Sequence, residues 1–217
     1  MEQAASPFDL LRTTLSKEEG RAEILDAAAE AFMQKGFAAT SINTVAGVLG
    51  CTKGRIYYQF ESKSDLFFAV HREAMLMNIN AVSGIANSEG KPLERLSRMI
   101  RAQAMVIMTR LPFQRASAQG LELHLAGSTT AEQREVLHSL VVMREQYENI
   151  FVDVVTEGIQ CGDLRSFDPK FAVKPLLGAL NWMTVWYRAA PGETEEHQRK
   201  IADDMADFLL SGLAASS

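Results

Sequence analysis

Residues 40–63, TSINTVAGVLGCTKGRIYYQFESK, decide the fold of this chain, because they predict two short helices joined by a tight turn. In the first helix, apolar residues recur at three- and four-residue spacing, which gives it a single buried face. These residues are Ile42, Val45, Ala46 and Leu49. Gly50 follows where the chain must reverse, and glycine alone adopts positive φ without a steric penalty. The segment is therefore typical of a helix-turn-helix unit.

The second helix of this segment begins at Thr52 and keeps Ile56 and Phe60 for the core. Its remaining side chains point outward, and they can donate to phosphates or reach base edges. These are Lys53, Arg55, Tyr57, Tyr58 and Gln59. Gly54 leaves room for close approach to a DNA duplex. Between Gly50 and Lys63 the net charge is +2, which suits the same partner.

A third helix begins at Ser62, where Ser62 and Asp65 form a capping box. The free N–H groups at this helix start and the ammonium group of Lys63 suit a phosphate. A plain amphipathic helix pair with a glycine turn is the alternative explanation of the whole segment. In that case Tyr57 is a core aromatic whose hydroxyl reaches water.

The segment resembles the DNA-binding domain of TetR-family transcriptional regulators over roughly residues 20–70. The positions that carry the resemblance include Ala28, Phe32, Gly36-Phe37, Thr40-Ser41, Val45-Ala46, Gly50, Thr52-Lys53-Gly54, Ile56-Tyr57-Tyr58, Phe60 and Ser62-Lys63. The resemblance implies base contacts by Lys53, Gly54 and Tyr57. It also implies phosphate contacts by Ser41, Thr52, Tyr58 and Lys63. Leu49, Cys51, Arg55 and Gln59 depart from the usual pattern, and Arg55 and Gln59 bear on which operator sequence is read.

Whole-chain composition agrees with a soluble helical protein of 217 residues and net charge −5. No apolar run is long enough for a membrane span, and residues 1–15 lack the features of a signal peptide. Cys51 and Cys161 lie far apart in sequence, which favours a reducing cytoplasm. The acidic residues before the helix pair, Glu23 among them, are expected to face away from DNA. No membrane partner is expected.

Helical periodicity continues through the rest of the chain, without a strand pattern. We predict helices over residues 21–35, 66–87, 93–110, 113–126, 130–161, 169–190 and 194–211. The fold class is therefore all-α, with an N-terminal three-helix domain at residues 17–63 and a larger C-terminal domain at residues 88–213. The linking helix between them continues to about residue 87.

The helix at residues 169–190 is apolar nearly all round, so it must be covered on most sides. Packing of the last two helices against their copies in a second subunit, as a four-helix bundle, would cover it. The family resemblance implies the same homodimer. The candidate interface residues are Leu176, Leu180, Trp182 and Phe208. Trp182 and Trp186 lie one turn apart, and a place in a ligand pocket is the alternative for this pair.

Methionine is concentrated in the middle of the chain, and its flexible side chain suits surfaces that accept varied apolar ligands. The resemblance implies an effector pocket here, although core filling explains any single methionine as well. The candidate effector-binding residues are Met75, Met99, Met105, Met108, Phe113, Leu121, Met143, Tyr147, Phe151, Met183 and Trp186.

The C-terminal part, from residue 177 to residue 188, resembles a TetR subgroup that senses fatty acyl and related coenzyme A thioesters. Guanidinium groups pair well with the phosphates of such a ligand. The candidates are Arg95, Arg98, Arg101, Arg110 and Arg115, for which a solvated basic face is the alternative.

The sequence contains no metal-ligand spacing, phosphate-cradling glycine loop or nucleophile elbow. We therefore expect no enzyme activity, no cofactor and no metal. The family resemblance implies a homodimeric repressor, which binds a palindromic double-stranded DNA operator and is released by a small apolar or acyl-CoA-like effector. A helical interaction protein of the same fold, without a regulatory role, is the alternative.

Overall fold

The structure is a computed structural model that describes the backbone of residues 7–126 and 130–213 and the side chains of residues 18–119 and 130–213. These residues form nine helices and no strand. The helices are α1 (Pro7–Ala39), α2 (Ile42–Leu49), α3 (Lys53–Tyr57), α4 (Lys63–Ala86), α5 (Pro92–Thr109), α6 (Leu111–Ala126), α7 (Ala131–Gln160), α8 (Pro169–Trp186) and α9 (Glu195–Ser211).

The two most informative differences from the predicted helix ends are the start of α1 and the end of α8. Helix α1 begins at Pro7 rather than at residue 21, and its helical course is interrupted, as predicted, at Gly36 (φ 75°, ψ 166°). Helix α8 ends at Trp186 rather than at residue 190, because Tyr187 has an extended backbone and a buried ring. Tyr187 thus contributes its ring to the core without continuing the helix, whereas residues 188–190 are exposed.

The N-terminal helices pack around Phe32, Ile56 and Phe67, each at most 2% exposed. Phe32 and Phe67 meet edge to face, with ring centroids 5.1 Å apart. Thr40 closes this unit from the end of α1, since its Oγ1 donates to the carbonyl of Gly36 at 2.7 Å. The short helix α2 packs against α1, and α3 packs against α2.

Helix α4 connects the two parts of the molecule, because it packs against α1 at one end and against α5, α6 and α7 along its length. Helix α5 in turn packs against α7, α8 and α9. The predicted all-α fold, with an N-terminal helix-turn-helix domain and a C-terminal helical domain, is confirmed. Within the described residues, no helix is both long enough and apolar enough to cross a membrane.

Candidate DNA-binding surface and effector cavity

The turn between α2 and α3 has the geometry that the sequence predicts. Ser41 and Thr44 cap α2 reciprocally: the Thr44 amide donates to Ser41 Oγ at 3.1 Å and the Ser41 amide to Thr44 Oγ1 at 3.4 Å. Gly50 adopts the left-handed conformation (φ 67°, ψ 32°), and the Cys51 amide then donates to the carbonyl of Ala46 at 3.0 Å. A side chain at position 50 would be strained by this backbone.

Helix α3 is held by its buried face and presents the opposite face to solvent. Ile56 is fully buried and Phe60 is 4% exposed, whereas Tyr57 is 51% and Tyr58 is 77% exposed. Most of the predicted DNA-contacting positions share the exposed side: Thr52, Lys53, Gly54, Arg55, Tyr57 and Tyr58. Gln59 is half-buried. The alternative in which Tyr57 is a core residue does not match this exposure.

The surroundings of Arg55 in α3 were not predicted from the sequence. Its guanidinium is ion-paired with the carboxylate of Glu23 on α1. Glu23 is expected from the sequence to face away from DNA, but α1 places its carboxylate against Arg55 of the DNA-binding segment. Part of the positive charge of the surface is neutralised in the unbound protein.

Lys63 also has a partner within the subunit. Its Nζ donates to the carbonyl of Phe37 at 2.8 Å and lies 4.3 Å from the centre of the Phe37 ring. Lys63, at the start of α4, is thus hydrogen-bonded to the C-terminal end of α1. A phosphate contact by the same ammonium group would add to this structural role.

A cavity of about 270 Å³ lies between α4, α6, α7 and α8. It is lined by His71, Met75, Asn78, Gln114, Ser117, Ala118, Arg144, Tyr147, Asn181 and Thr184. Its wall is more polar than the predicted methionine-rich pocket. The signal that sequence reasoning missed is the polar residue placed on an otherwise apolar helix face, such as Asn78 in α4 and Gln114 in α6.

Two buried polar groups in this wall have no hydrogen-bond partner among the described residues. They are the hydroxyl of Tyr147, a residue 4% exposed, and Nε2 of Gln114, a residue 6% exposed. Burial raises the pKa of Tyr147 well above its ordinary value of about 10, so the hydroxyl keeps its proton. Buried polar groups are nearly always hydrogen-bonded in proteins, and exceptions call for an explanation.

Of the predicted effector-binding residues, Met75 and Tyr147 line this cavity. Met99, Met108, Met143, Phe151 and Met183 are instead buried core residues. Their side chains fill the core between neighbouring helices. Met105 is half-buried outside the lining, and Phe113 borders a separate groove beside Arg110 and α1. Trp186 is 45% exposed and lies away from the cavity wall. Leu121 lies outside the residues whose side chains are described.

The five arginines considered for a phosphate site are not brought together. Arg95 is buried, where it donates to the Ala86 carbonyl and pairs with Glu157. Arg101 pairs with Asp203, and Arg98 donates to the Glu89 carbonyl. Arg115 binds carbonyls at the end of α8, while Arg110 borders the groove next to α1. Arg98 and Arg101 line one groove together with the carboxylates of Glu89, Glu94 and Asp207, and the other three arginines lie elsewhere, so the five do not form one phosphate-binding cluster.

An apolar face remains exposed on α8 and α9. Phe171 and Trp182 are 71% and 62% exposed on α8, and Phe208 is 77% exposed on α9. Leu176 and Leu180 had been expected on this face, but they are 3% and 0% exposed within the subunit. Their side chains point from α8 into the core, since they lie on the opposite side of the helix from Trp182. The expectation that they contact a second subunit is therefore wrong.

Comparison with known families agrees with this architecture. The model of bacterial regulatory proteins of the tetR family matches residues 24–70, and the model of the tetracyclin repressor-like C-terminal domain matches residues 89–213. The second match alone spans more than half of the chain. The protein therefore belongs to the TetR family of DNA-binding transcriptional regulators.

Individual relatives are similar along most of their length. The fatty acid metabolism regulator protein of Bacillus subtilis is 24% identical, over 88% of this chain and 94% of that protein. The transcriptional repressor KstR2 of Mycobacterium tuberculosis is 26% identical, over 89% of this chain and 92% of that protein. The first similarity fits the resemblance of the C-terminal part to the acyl-CoA-responsive subgroup.

Among solved structures, AibR in complex with isovaleryl coenzyme A and operator DNA has the same fold. The two chains superpose with a TM-score of 0.70 and 22% identity, over 87% of this chain and 97% of AibR.

Proposed function

We propose that the protein is a homodimeric transcriptional repressor whose two α3 helices bind a palindromic operator and whose cavity binds the effector that releases it. The observation that carries this proposal is the course of α4. This helix begins at Lys63 beside the DNA-binding helices, and it lines the cavity with His71, Met75 and Asn78. Over the eight residues from Lys63 to His71 an α-helix rises only about 12 Å.

A second connection runs through α6. Arg115 donates from Nε to the Thr184 carbonyl and from Nη2 to the Tyr187 carbonyl, both at 2.7 Å, and so binds the end of α8. Its Nη1 lies 3.8 Å from Sδ of Met33 in α1. The neighbouring Gln114 and Thr184 line the cavity. A ligand that shifts α6 or α8 would therefore move a contact with the DNA-binding domain.

Exposed apolar side chains on α8 and α9 support the proposed homodimer. The exposed rings of Phe171, Trp182 and Phe208 form an apolar surface that a second copy can cover. A dimer would place two α3 helices in major grooves on one side of the DNA. The two helices would then lie about 34 Å apart, or a multiple of this distance. Two subunits would also raise affinity for an operator beyond what the few cations of one α3 supply.

The effector can act only if it binds one arrangement of the DNA-binding domains better than the other. AibR, with its acyl-CoA ligand and operator, is an example of one fold that binds both. For this chain, the acyl-CoA assignment is a hypothesis that needs phosphate-binding groups, and the five arginines considered above do not form such a cluster.

Selection of genomic fragments bound by the protein, beginning with the promoter beside its own gene, tests the DNA-binding role. We expect Lys53→Ala to change sequence preference and Tyr58→Phe to weaken all sequences equally, because base contacts specify and phosphate contacts position. Arg199→Gln, which changes an exposed charge on α9, is the control. Equal retention of all fragments by the wild-type protein would favour the alternative, an interaction protein of the same fold.

A further inference from the structure

The charge, the hydrogen-bond donors and the volume of the cavity between α4, α6, α7 and α8 indicate which class of small molecule it binds. We infer that it binds a small carboxylic acid carrying a second oxygen acceptor, such as a keto or hydroxy acid, as the free anion. This inference rests on the proposed function, because it names the effector class for the same cavity.

The charge of the wall favours an anion. Among the described lining residues, Arg144 is the only arginine or lysine, and none is an aspartate or a glutamate. Arg144 also makes no ion pair within the described residues, unlike Arg95 and Arg101. Guanidinium groups bind carboxylates in a planar, two-bond geometry. Since Arg144 is exposed and Tyr147 is buried one turn further along α7, Arg144 lies at the mouth.

The inner part of the cavity offers hydrogen-bond donors. The Tyr147 hydroxyl and Gln114 Nε2 are buried donors without partners among the described residues. Gln103 donates from Nε2 to Oδ1 of Asn78 at 3.1 Å, which leaves Nδ2 of Asn78 as a further donor in the wall. A ligand oxygen that accepts from these groups would remove the cost of burying them unsatisfied. A purely aliphatic ligand would leave that cost in place.

The size of the cavity favours a small molecule. At about 30 Å³ for each water-sized group, 270 Å³ holds about nine such groups. A keto or hydroxy acid of about five to seven carbons, which has about eight to ten non-hydrogen atoms, fills this space. The nucleotide and pantetheine parts of a coenzyme A thioester are several times larger and would have to lie outside the cavity.

Calorimetric titration of the full-length protein tests this assignment with matched probes. Levulinate and salicylate carry both the carboxylate and the second oxygen. Valerate and benzoate lack the second oxygen, methyl levulinate and methyl salicylate lack the charge, and valeryl and isovaleryl coenzyme A are the thioesters. We expect at least one of the two oxygen-bearing acids to bind, and to bind at least about tenfold more tightly than its matched ester and its matched simple acid.

Variants then locate the binding. Arg144→Gln should weaken the acid about tenfold or more, and Tyr147→Phe about three- to tenfold, whereas Arg199→Gln should leave it unchanged. Circular dichroism checks that each variant is folded. Failure of both oxygen-bearing acids to bind, equal binding of ester and acid, or binding of the thioesters alone would each overturn the inference. DNA selection is independent of these titrations, so acid binding without operator binding would count against the repressor role alone.

Discussion

The guanidinium of Arg55 in α3 is ion-paired with the carboxylate of Glu23 in α1, although the two residues are 32 positions apart in sequence. Both side chains are about half exposed, so the pair contributes little to folding, roughly 0.5 kcal/mol. Its larger effect is on charge, because Arg55 cannot keep this partner and reach DNA with the same groups. The unbound protein therefore presents a weaker positive surface than its sequence indicates.

From this relationship we predict that Glu23→Gln strengthens operator binding about threefold, because it releases Arg55 and removes a nearby negative charge. Fluorescence anisotropy with a selected operator at fixed salt measures the change. Glu19→Gln on the same helix makes an identical change in net charge and should have a smaller effect. Weaker binding by Glu23→Gln would instead show that Arg55 serves to position α3.

Lys63 should contribute to stability as well as to DNA binding. Its hydrogen bond to the Phe37 carbonyl and its position over the Phe37 ring are lost in Lys63→Ala, which should lower the free energy of unfolding by about 1–2 kcal/mol. Denaturant unfolding of the protein without DNA measures this. Lys53→Ala removes an exposed lysine and should change stability by less than about 0.5 kcal/mol. Equal stability of the two variants would contradict the structural role of Lys63.

The unpartnered hydroxyl of Tyr147 gives a prediction that separates ligand binding from folding. Tyr147→Phe removes a buried polar group without changing the shape of the ring, so the free protein should be as stable as the wild type or about 1 kcal/mol more stable. The same variant should bind the proposed acid less tightly. A purely structural tyrosine would instead lose stability on this substitution.

Alkaline pH should show the effect of the same residue. Burial raises the pKa of Tyr147 in the folded protein above its ordinary value of about 10. The neutral hydroxyl is thus favoured by folding, and the associated stability is fully present below pH about 10 and is lost as the pH rises further. In Tyr147→Phe this loss should be smaller, which chemical unfolding between about pH 9 and pH 11 would measure. Identical pH profiles would contradict burial of an ionisable hydroxyl.

Substitutions on the two sides of α8 should have different effects. Trp182→Ala, on the exposed side, should weaken dimerisation at least about tenfold while it leaves subunit folding intact. Leu176→Ala, on the buried side, should lower the free energy of unfolding by about 2–4 kcal/mol. Sedimentation velocity and denaturant unfolding distinguish the two outcomes, with the exposed Val141→Ala as a control. A wild-type protein that sediments as a monomer would refute the dimer assignment.

Local sequence patterns were sufficient for the helix-turn-helix unit, because Gly50, Ile56 and Phe60 act through backbone conformation and helical periodicity. They were not sufficient for the pairs Arg55–Glu23 and Lys63–Phe37, since these contacts depend on how distant helices cross. The methionine pattern indicated an apolar pocket, but Met99 and Met183 fill the core, and the polar Gln114 lines the cavity instead. Which side of α8 is exposed also depended on tertiary packing, because both sides are apolar.

Arg115 provides the most specific test of how the cavity and the DNA-binding domain are coupled. Its guanidinium binds the carbonyls of Thr184 and Tyr187 and contacts Met33 of α1, so one side chain joins α6 to the end of α8 and to the N-terminal domain. Burial and the nearby Arg188 lower its pKa from the ordinary value. The residue itself is not part of the cavity wall.

We predict that Arg115→Gln keeps acid binding within about twofold but reduces the effect of the acid on operator affinity from about tenfold to less than about threefold, because the ligand then no longer shifts α1 through α6. Arg188→Gln is the matched control, since Arg188 also donates to the Tyr187 carbonyl but makes no hydrogen bond to α1 or α6 among the described residues. Arg115→Lys retains the charge and should show an intermediate effect. Operator binding measured with and without saturating acid gives the coupling for each variant. Full coupling in folded Arg115→Gln would leave α4 as the route between the two sites.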